Sequence, residues 1–308
     1  MRKVFGFGET VLDIIFKDGQ PRAAKPGGSV LNAFVSLGRL GWEPCFVSEY
    51  GQDNVGRLID DYLRENGVNT KYINRFTDGQ SALAMAFLDD DNNANYTFYK
   101  NFPDERLQEL PEDIAADDII LFGSIYASSR EVRKSVVRFL EMGMERGAVI
   151  IYDPNFRRAH LAELEELKPL IIENINYADI IRGSDEDFQL IFGADQPGKV
   201  LEIIDNETKL LLYTKNSGNV KVFLNSLEAS IPAEKIEPVS TIGAGDNFNA
   251  GIIHWLLKNG TTRTGLQLLE EGDLGDMAGT GIKFATNVCL GFDNYISHDF
   301  ARGILGGE

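Results

Sequence analysis

Residues 119–152 read IILFGSIYASSREVRKSVVRFLEMGMERGAVIIY, and this stretch decides the fold class. Its two ends, 119–122 and 149–152, are continuous apolar runs, as expected of strands that are buried on both faces. We place a helix between them, at 129–146. A strand, a helix and a second strand in this order predict two parallel strands of one sheet, joined by a crossover helix.

The same alternation extends through most of the chain. Short apolar runs predict further strands, and apolar residues at helical spacing predict further helices. We therefore predict an α/β protein with a mostly parallel central sheet and helices on both faces, whose ligands bind beyond the carboxyl ends of the strands. The further strands are 4–7, 45–48, 180–182 and 210–214, and the further helices are 30–40, 54–66, 161–174, 248–258 and 276–290.

Residues 81–101 have a different texture. The segments 81–88 and 95–99 are rich in β-forming residues, and a polar run at 89–93 separates them. This pattern predicts a β-hairpin, which in an α/β chain is a candidate lid or interface element. The chain shows no repeat and no long linker, so the sequence predicts one domain over 1–308 with a small β lid.

The composition limits the partners. Of the 308 residues, 43% are hydrophobic, which is ample for a large core, and the formal net charge is −17. A protein this acidic repels phosphate backbones, so we expect no nucleic-acid partner. No apolar stretch approaches the roughly 20 residues of a membrane span, and the first apolar run is too short for a signal peptide. We therefore expect no membrane contact and a cytoplasmic location. Cys45 and Cys289 both lie in apolar runs, so we expect them to be buried, inert thiols.

Two segments imitate nucleotide-binding motifs. The stretch GADQPGKV at 193–200 is close to a P-loop, but Val200 stands where a hydroxyl must hold magnesium, and Pro197 removes a backbone donor. We predict a turn between helices there. The stretch GFGETV at 6–11 is close to a dinucleotide fingerprint, but Val11 replaces the third glycine, so we reject a nicotinamide oxidoreductase.

The strongest chemical signal is the stretch STIGAGDNF at 240–248. Gly243 and Gly245 allow a ligand to approach the backbone closely, and the amides that open the following helix form a site for an anion. Asp246 would be repelled by a phosphate in that turn unless it serves a purpose, such as taking a proton from an attacking hydroxyl. These residues alone leave an alternative open, in which Asp246 is the N-cap of an ordinary helix.

A second signal is the stretch GGSVLN at 27–32. Its glycines, Gly27 and Gly28, open a helix, and Asn32 lies one turn into that helix beside apolar neighbours. A buried Asn needs polar partners, which sugar hydroxyls would supply, although a satisfied structural Asn is the simpler explanation in isolation. Asp13, among Val and Ile residues, is either exposed at a strand end or accepts hydrogen bonds from hydroxyls.

Five segments occur in an order that resembles the ribokinase-like (pfkB-type) carbohydrate kinase family along nearly the whole chain. One such segment would be weak support, but five in the family's order are specific. The resemblance implies a three-layer α/β/α ribokinase-like domain with a β lid. It also implies an enzyme that transfers the γ-phosphoryl group of ATP to a sugar hydroxyl. The five segments are 8–13, 27–32, 51–56, 153–157 and 243–246.

The resemblance also implies roles for individual residues. Asp246 would be the general base, and the amides of Gly243, Ala244 and Gly245 would form the anion hole. The lid would come from about 14–25 and 81–101, and because the family's lid often pairs between subunits, a homodimer through the lid is expected. The sugar would bind Asp13, Gly27, Gly28 and Asn32, and the nucleotide would bind Asn155, Ser184, Thr214, Gly218 and Asn287. Lys100 and Arg157 are cations that could meet sugar oxygens or phosphates, with a solvated surface charge as the alternative for Lys100.

The resemblance implies ATP and Mg²⁺ as the cofactors. An Asn-x-x-Glu motif that lies near magnesium in the family appears here at 184–187, which makes Asp187 the candidate metal ligand. The family usually has an acidic residue that helps to hold a monovalent cation where this chain has Ser240. That difference leaves a potassium requirement open.

The sequence is most similar to the fructokinase branch, through residues 8–9, 98–100, 122–125 and 153–157. It therefore predicts phosphorylation of fructose to fructose 6-phosphate. The 2-keto-3-deoxygluconate kinases share a similar Asp-x-Asn-x-Arg segment and are the alternative, ahead of nucleoside kinases. A catalytically inactive sugar-binding regulator on the same fold is the non-enzyme alternative.

Overall fold

The computed structural model describes residues 2–89, 94–204, 208–215 and 218–307. Nine of its strands form a central sheet, and the other four form a separate sheet. In chain order the strands are β1 Val4–Phe7, β2 Val11–Lys17, β3 Gln20–Gly27, β4 Cys45–Gly51, β5 Ile73–Phe76, β6 Gln80–Leu88, β7 Ala94–Asn101, β8 Ile119–Gly123, β9 Val149–Asp153, β10 Ile180–Ser184, β11 Leu210–Thr214, β12 Asn219–Leu224 and β13 Leu227–Pro232.

The central sheet has the strand order β13-β12-β11-β10-β9-β8-β1-β4-β5. Its strands run parallel from β5 to β11, and β12 and β13 add an antiparallel edge. The deciding stretch supplies the neighbours β8 and β9, with Ile119 opposite Val149 and Phe122 opposite Tyr152. The mostly parallel sheet predicted from the sequence is therefore confirmed.

Helices cover both faces of the central sheet. Two short 3-10 segments, Arg158–Glu163 and Gly265–Leu268, lie between them. The α-helices are α1 Ser29–Arg39, α2 Asn54–Glu65, α3 Ser124–Ala127, α4 Arg133–Arg146, α5 Leu164–Tyr177, α6 Asp185–Phe192, α7 Pro197–Ile204, α8 Ala244–Lys258, α9 Glu271–Cys289 and α10 His298–Gly306.

Each face of the sheet has its own apolar core, because successive strand residues point to opposite sides. In β8, Ile119 and Leu121 share one core with residues of α1, α8 and α9. Ile120 and Phe122 share the other core with residues of α4, α5 and α6. Burial on both sides explains why these strands appear in the sequence as continuous apolar runs. The three-layer α/β/α arrangement is confirmed.

The separate sheet has the order β3-β2-β6-β7. It contains the predicted hairpin, β6 and β7, which pair antiparallel with Met85 opposite Thr97. Residues 90–93 of the predicted polar turn lie outside the described residues. The sequence analysis did not predict the second hairpin, β2 and β3, whose turn is Asp18-Gly19 with φ of 53° and 68°. Positive φ at both turn residues is typical of a tight hairpin, and an Asp-Gly pair is its sequence signal.

Four predicted helices begin elsewhere. Helix α8 begins at Ala244 rather than 248, directly after its N-cap Gly243. The segment 129–146 becomes helical as α4 only at Arg133, and 124–127 forms the separate helix α3. A 3-10 segment occupies 158–163 before α5 begins at Leu164. Helix α9 begins at Glu271 rather than 276, because Glu270 and Asp273 form a capping box that starts it earlier.

The structure also tests two smaller expectations. The P-loop imitation is a turn between helices, as predicted, since Gly193 ends α6 with a φ of 68° and α7 begins at Pro197. Cys45 and Cys289 are buried and unpaired, as expected. In the described part of the chain, no helix combines the length and the apolar character that a membrane crossing requires.

Candidate active site

The turn before α8 forms the centre of the candidate site. Helix α8 begins at Ala244, after Gly243 has taken a left-handed φ of 82° as the N-cap. Asp246 lies in the first helical turn and is only 9% exposed. It is therefore not the N-cap, which removes the simpler explanation for this carboxylate. The amide of Ala244 donates to the backbone oxygen of Thr241 at 3.3 Å. The next amides of the first turn need no intrahelical partner and can bind an anion.

Asn32 of α1 meets Asp246 across 214 residues of sequence: its Nδ2 donates to Asp246 Oδ2 at 2.8 Å. Its Oδ1 is buried and accepts no hydrogen bond from the described residues. A buried amide oxygen without a donor is costly in free energy. A ligand hydroxyl would supply that donor directly beside the carboxylate, which is the position that a phosphate acceptor needs.

The environment of Asp246 favours a base that works near neutral pH. The pKa of Asp246 is raised to about 7, mainly by burial. The hydrogen bond from Asn32 acts to lower it, and the negative charge of Asp153 acts to raise it. The positive charges of Arg157 and Arg182 act in the lowering direction. A carboxyl with this pKa is ionised above neutrality and can take up a proton during the reaction.

If Asp246 is the general base, log kcat/KM should fall with unit slope as the pH drops below about 7, because only the ionised carboxylate can accept a proton. In Asn32→Ala the midpoint should move to higher pH, because the hydrogen bond that favours the charged carboxylate is lost. Initial rates at saturating ATP across the neutral range measure both midpoints. A wild-type midpoint near 3.8, the ordinary value of Asp, would contradict a buried base.

The glycines at the start of α1 let two carboxyl-bearing segments approach closely. A β-carbon on Gly27 would lie 2.2 Å from Asp13 Oδ2, and one on Gly28 would lie 2.3 Å from the backbone oxygen of Glu9. Gly28 also has a φ of 139°, which L side chains rarely adopt. Burial raises the pKa of Asp13 to about 6, and Glu9 adds to this shift. Asp13 lies within β2, not at a strand end, and is partly buried.

The separate sheet contributes side chains at the edge of the site. Burial and the charge of Asp13 raise the pKa of Tyr96, and the charge of Arg157 lowers it, so the three groups interact electrostatically. Arg157 is exposed, and its charge also lowers the pKa of Asp246. Lys100 is exposed on β7, with its Nζ 5.3 Å from the centre of the Phe98 ring.

Two of the residues assigned to the nucleotide follow neighbouring strands. Asn155, after β9, has a φ of 40° and donates its amide to Asp153 Oδ1 at 3.0 Å. Thr214 ends β11, and its Oγ1 accepts a hydrogen bond from Arg182 at 2.9 Å. Both therefore lie at the carboxyl edge of the sheet, where ligands of such folds bind.

The other nucleotide residues are on helices or loops. Ser184 is the N-cap of α6. Asn287 lies near the end of α9, where its Oδ1 accepts from the amide of Ser297 at 2.9 Å. Gly218 precedes β12 and follows residues 216–217, which lie outside the described ranges.

Asp187 uses both carboxylate oxygens within the protein. Its Oδ1 accepts from the amide of Phe156 at 2.7 Å, and its Oδ2 accepts from the amide and Oγ of Ser184 at 2.7 and 2.5 Å. Among the described residues no group of three or more His, Cys, Asp or Glu could hold a metal. Mg²⁺ usually keeps several waters and binds through one or two carboxylates plus substrate phosphates. Asp187 is buried and both of its oxygens are already hydrogen-bonded, so its assignment as the protein ligand stays a prediction from the resemblance.

The sequence analysis assigned no role to a buried network behind the turn. Arg182 Nη1 donates to Asp153 Oδ2 at 3.0 Å, and Asn249 Nδ2 donates to the same oxygen at 2.7 Å. Asn249 lies on α8, so the network connects β9, β10 and the helix that bears Asp246. A charged residue at the end of the apolar run Ile180-Ile181 was the available signal, because a buried charge needs a partner.

Asn247 fixes the conformation of the turn and was also missed. Its Nδ2 donates to the backbone oxygens of Gly243 and Asn294, at 2.7 Å each. Its Oδ1 accepts from Ser36 Oγ of α1. The side chain therefore holds the cap of α8 against both a distant loop and the helix that carries Asn32.

Comparison with known proteins agrees with the resemblance found in the sequence. The family model described as pfkB family carbohydrate kinase matches residues 1–268. Fructokinase-1 of Oryza sativa subsp. japonica is 28% identical over 299 residues, which cover 93% of this chain and 90% of the relative. Fructokinase-1 of Zea mays is 29% identical over 269 residues, which cover 83% of each chain.

Solved structures with the same fold cover almost the entire chain. Fructokinase from Vibrio cholerae O395, in a fructose, ADP and calcium ion bound form, has a TM-score of 0.84 at 20% identity and covers 99% of both chains. Aminoimidazole riboside kinase from Salmonella enterica, complexed with aminoimidazole riboside and an ATP analog, has a TM-score of 0.82 at 19% identity. It covers 98% of this chain and 99% of that one. At these identities the likeness concerns the fold.

Proposed function

Since this chain belongs to the pfkB family of carbohydrate kinases and is a phosphotransferase with an alcohol acceptor, we propose that it phosphorylates fructose to fructose 6-phosphate with ATP. The observation that carries the proposal is the contact between Asn32 and Asp246 at the amino end of α8. It puts a free acceptor for a sugar hydroxyl and a buried base next to a turn that can bind phosphate. The relatives named fructokinase, at 28% and 29% identity, support fructose as the sugar.

In this proposal Asp246 takes the proton from a primary hydroxyl of the sugar as that oxygen attacks the γ-phosphorus of ATP. The new bond joins the sugar oxygen to the γ-phosphorus, the bond from phosphorus to the β–γ bridging oxygen breaks, and ADP leaves. The amides of Ala244 and Gly245 would stabilise the negative charge on the transferred group, because they point out of a helix N-terminus. The proton remains on Asp246 until the product leaves.

ATP would lie along the carboxyl edge of the sheet, between the α8 turn and the residues Asn155, Ser184, Thr214, Gly218 and Asn287. Mg²⁺, when bound, screens the charge of the phosphates. We propose Asp187 as its protein contact, with phosphate oxygens and water as the other ligands. At Ser240 the side-chain oxygen accepts from the amide of Ile242 at 3.2 Å, and no carboxylate is available at that position, so we assign no potassium site.

For the sugar we propose contacts with Asp13, Asn32 and the backbone of Gly27 and Gly28, and with Arg157 on the other side. The carboxyl groups of Asp13 and Glu9 favour an uncharged sugar, because they would repel the carboxylate of a sugar acid. 2-Keto-3-deoxygluconate is therefore not favoured. The buried Asp246 beside the glycine turn argues against an inactive regulator. We also propose Lys100, which is exposed on β7, as a contact of the sugar.

We propose that the lid of the site, expected from about 14–25 and 81–101, is the separate sheet β3-β2-β6-β7, and that it pairs with the lid of a second copy. Its support is the exposed apolar surface of the sheet, where Phe87 stacks on Phe16 with ring centres 5.0 Å apart and is still 42% exposed. Exposed aromatic groups of this kind are typical of interfaces. Light scattering in solution would measure the oligomeric state. We also propose a cytoplasmic location, where ATP is available.

A panel of sugars tests the function. With ATP and Mg²⁺, ADP release should be fastest with fructose, and phosphate should appear on its C6 hydroxyl by NMR. The panel includes 2-keto-3-deoxygluconate, ribose, tagatose phosphate and adenosine as competitors of different charge and size. A kcat/KM for any competitor above that for fructose would move the proposal to that substrate, and no turnover with any sugar would refute the sugar kinase.

A further inference from the structure

The buried guanidinium of Arg182 lies directly behind the turn that opens α8. Arg182 is 8% exposed, on β10, and donates to Asp153 Oδ2 at 3.0 Å and to Thr214 Oγ1 at 2.9 Å. Its Nε is also buried and has no partner among the described residues. Two hydrogen bonds thus connect Arg182 to β9 and to the end of β11, where the nucleotide is expected to bind, while its Nε–H donates to none of the described residues.

The guanidinium of Arg182 packs against the backbone of the turn at Gly245. A β-carbon on Gly245 would lie 2.7 Å from Nη1 and 2.9 Å from Nη2 of Arg182. Gly245 has no positive φ, unlike Gly243, so its backbone conformation does not demand glycine. A side chain at position 245 would displace the guanidinium from this place.

The charges around Arg182 exceed what a simple ion pair needs. Asp153, Asp187 and Asp246 all act on it and stabilise its charged form, although burial opposes this. Asp246 in turn faces Asp153 from β9, Arg157 from the following loop and Arg182 from β10. The positive charge of Arg182 therefore interacts with several buried carboxylates. Coulomb interactions are strong there because little water screens them.

We propose that Arg182 is a positioning residue for phosphoryl transfer, which holds the turn and Thr214 in place and lends positive charge to the anion hole from behind. The inference rests on the phosphoryl transfer proposed above, but not on the identity of the sugar. The competing explanation is that Arg182 only neutralises buried Asp153. The two explanations differ in what happens when both charges are removed together.

The decisive variant is Arg182→Met with Asp153→Asn. Removing Arg182 alone would leave a buried charge unpaired and strongly destabilise the protein, whereas removing both partners is often tolerated. We expect the double variant to melt near the wild-type temperature. We also expect its kcat to fall by about 10²-fold or more, as for the loss of one anion-hole donor. KM for fructose should change less than about threefold, because Arg182 does not touch the sugar-binding residues.

A conservative variant and a matched control complete the experiment. Arg182→Lys keeps the charge but not the forked geometry, and should retain more activity than the double variant. The matched control is Arg263→Met with Asp179→Asn. It removes another ion pair, 2.9 Å long, in which Asp179 immediately precedes β10 at the opposite end of that strand. We expect wild-type kcat from the control.

A double variant with kcat within about tenfold of wild type would overturn the proposal, and so would a Lys variant no better than the double variant. The sugar is the one that wild type phosphorylates best, so a wrong choice of fructose leaves the comparison intact. Binding of ADP with aluminium fluoride, a mimic of the group in transfer, gives a readout that needs no turnover. The double variant should lose at least about tenfold more affinity for the mimic than for ADP alone, and equal losses for the two ligands would also overturn the proposal.

Discussion

Asp246→Asn is expected to lower kcat by about 10²- to 10⁴-fold while fructose still binds with nearly unchanged affinity. The amide oxygen of Asn can keep the hydrogen bond that Asn32 now donates to Asp246 at 2.8 Å. The substituted side chain therefore fits the site but cannot take a proton. Rapid-quench measurement of a single turnover, with fructose affinity from calorimetry, separates the chemical step from binding.

The same substitution should not cost stability at pH 8. Burial raises the pKa of Asp246 from 3.8 to about 7, so at pH 8 the folded protein holds a charge that the unfolded chain carries more readily. This destabilising contribution is present above the folded pKa and disappears as the pH falls towards the unfolded value. The Asn variant should thus melt at or above the wild-type temperature at pH 8, with a smaller advantage at pH 5.

An exposed carboxylate provides the control for both measurements. Asp299 is 86% exposed in its side chain, and Asp299→Asn should change neither kcat nor the pH dependence of melting. An Asp246→Asn variant with wild-type kcat would show that another group takes the proton. An inactive variant that has also lost its cooperative melting would point to a structural role for the carboxylate.

Gly243→Ala is expected to reduce kcat by about 10²-fold and to lower the melting temperature. Gly243 has a φ of 82°, and a β-carbon there would lie 2.6 Å from the backbone oxygen of Asn294 and 3.0 Å from its carbonyl carbon. Backbone atoms cannot rotate away as a side chain can. The turn must therefore shift, and with it the amides that would bind the phosphoryl group.

Gly147→Ala separates strain from displacement. Gly147 has a φ of 79°, almost that of Gly243, but a β-carbon there would meet nothing within 4 Å. This control should cost about 1–2 kcal/mol of stability from the left-handed backbone and leave kcat unchanged. Steady-state kinetics and thermal melting of both alanine variants make the comparison. Equal kcat values would show that the turn does not depend on its contact with Asn294.

Part of the site could be predicted from the sequence, because the residues that form it are adjacent in the chain. Gly243, Gly245 and Asp246 are contiguous, and a glycine turn before a helix restricts what a carboxylate can do there. The existence of helix α8 was predicted, although it begins at Ala244 rather than 248. The hairpin turn at Asp18-Gly19 also had a local signal, the Asp-Gly pair, although apolar periodicity does not reveal it.

The network behind the turn could not be predicted in this way. Arg182, Asp153 and Asn249 come from two strands and a helix, and nothing in their flanking residues selects one another. Sequence indicated that a charge in a buried strand needs a partner, but the partner is chosen by strand order, which places β9 beside β10.

Sequence alone determined the alternating strands and helices, the parallel sheet and the carboxylate in the glycine turn, since periodicity and backbone preference act over short distances. Tertiary structure alone decided that Asn32 meets Asp246, that this carboxyl is buried enough to titrate near neutrality, and that Arg182 packs against Gly245. Those three properties depend on burial and on distances between segments far apart in the chain. Desolvation and Coulomb interactions are set by the folded arrangement, which no local pattern specifies.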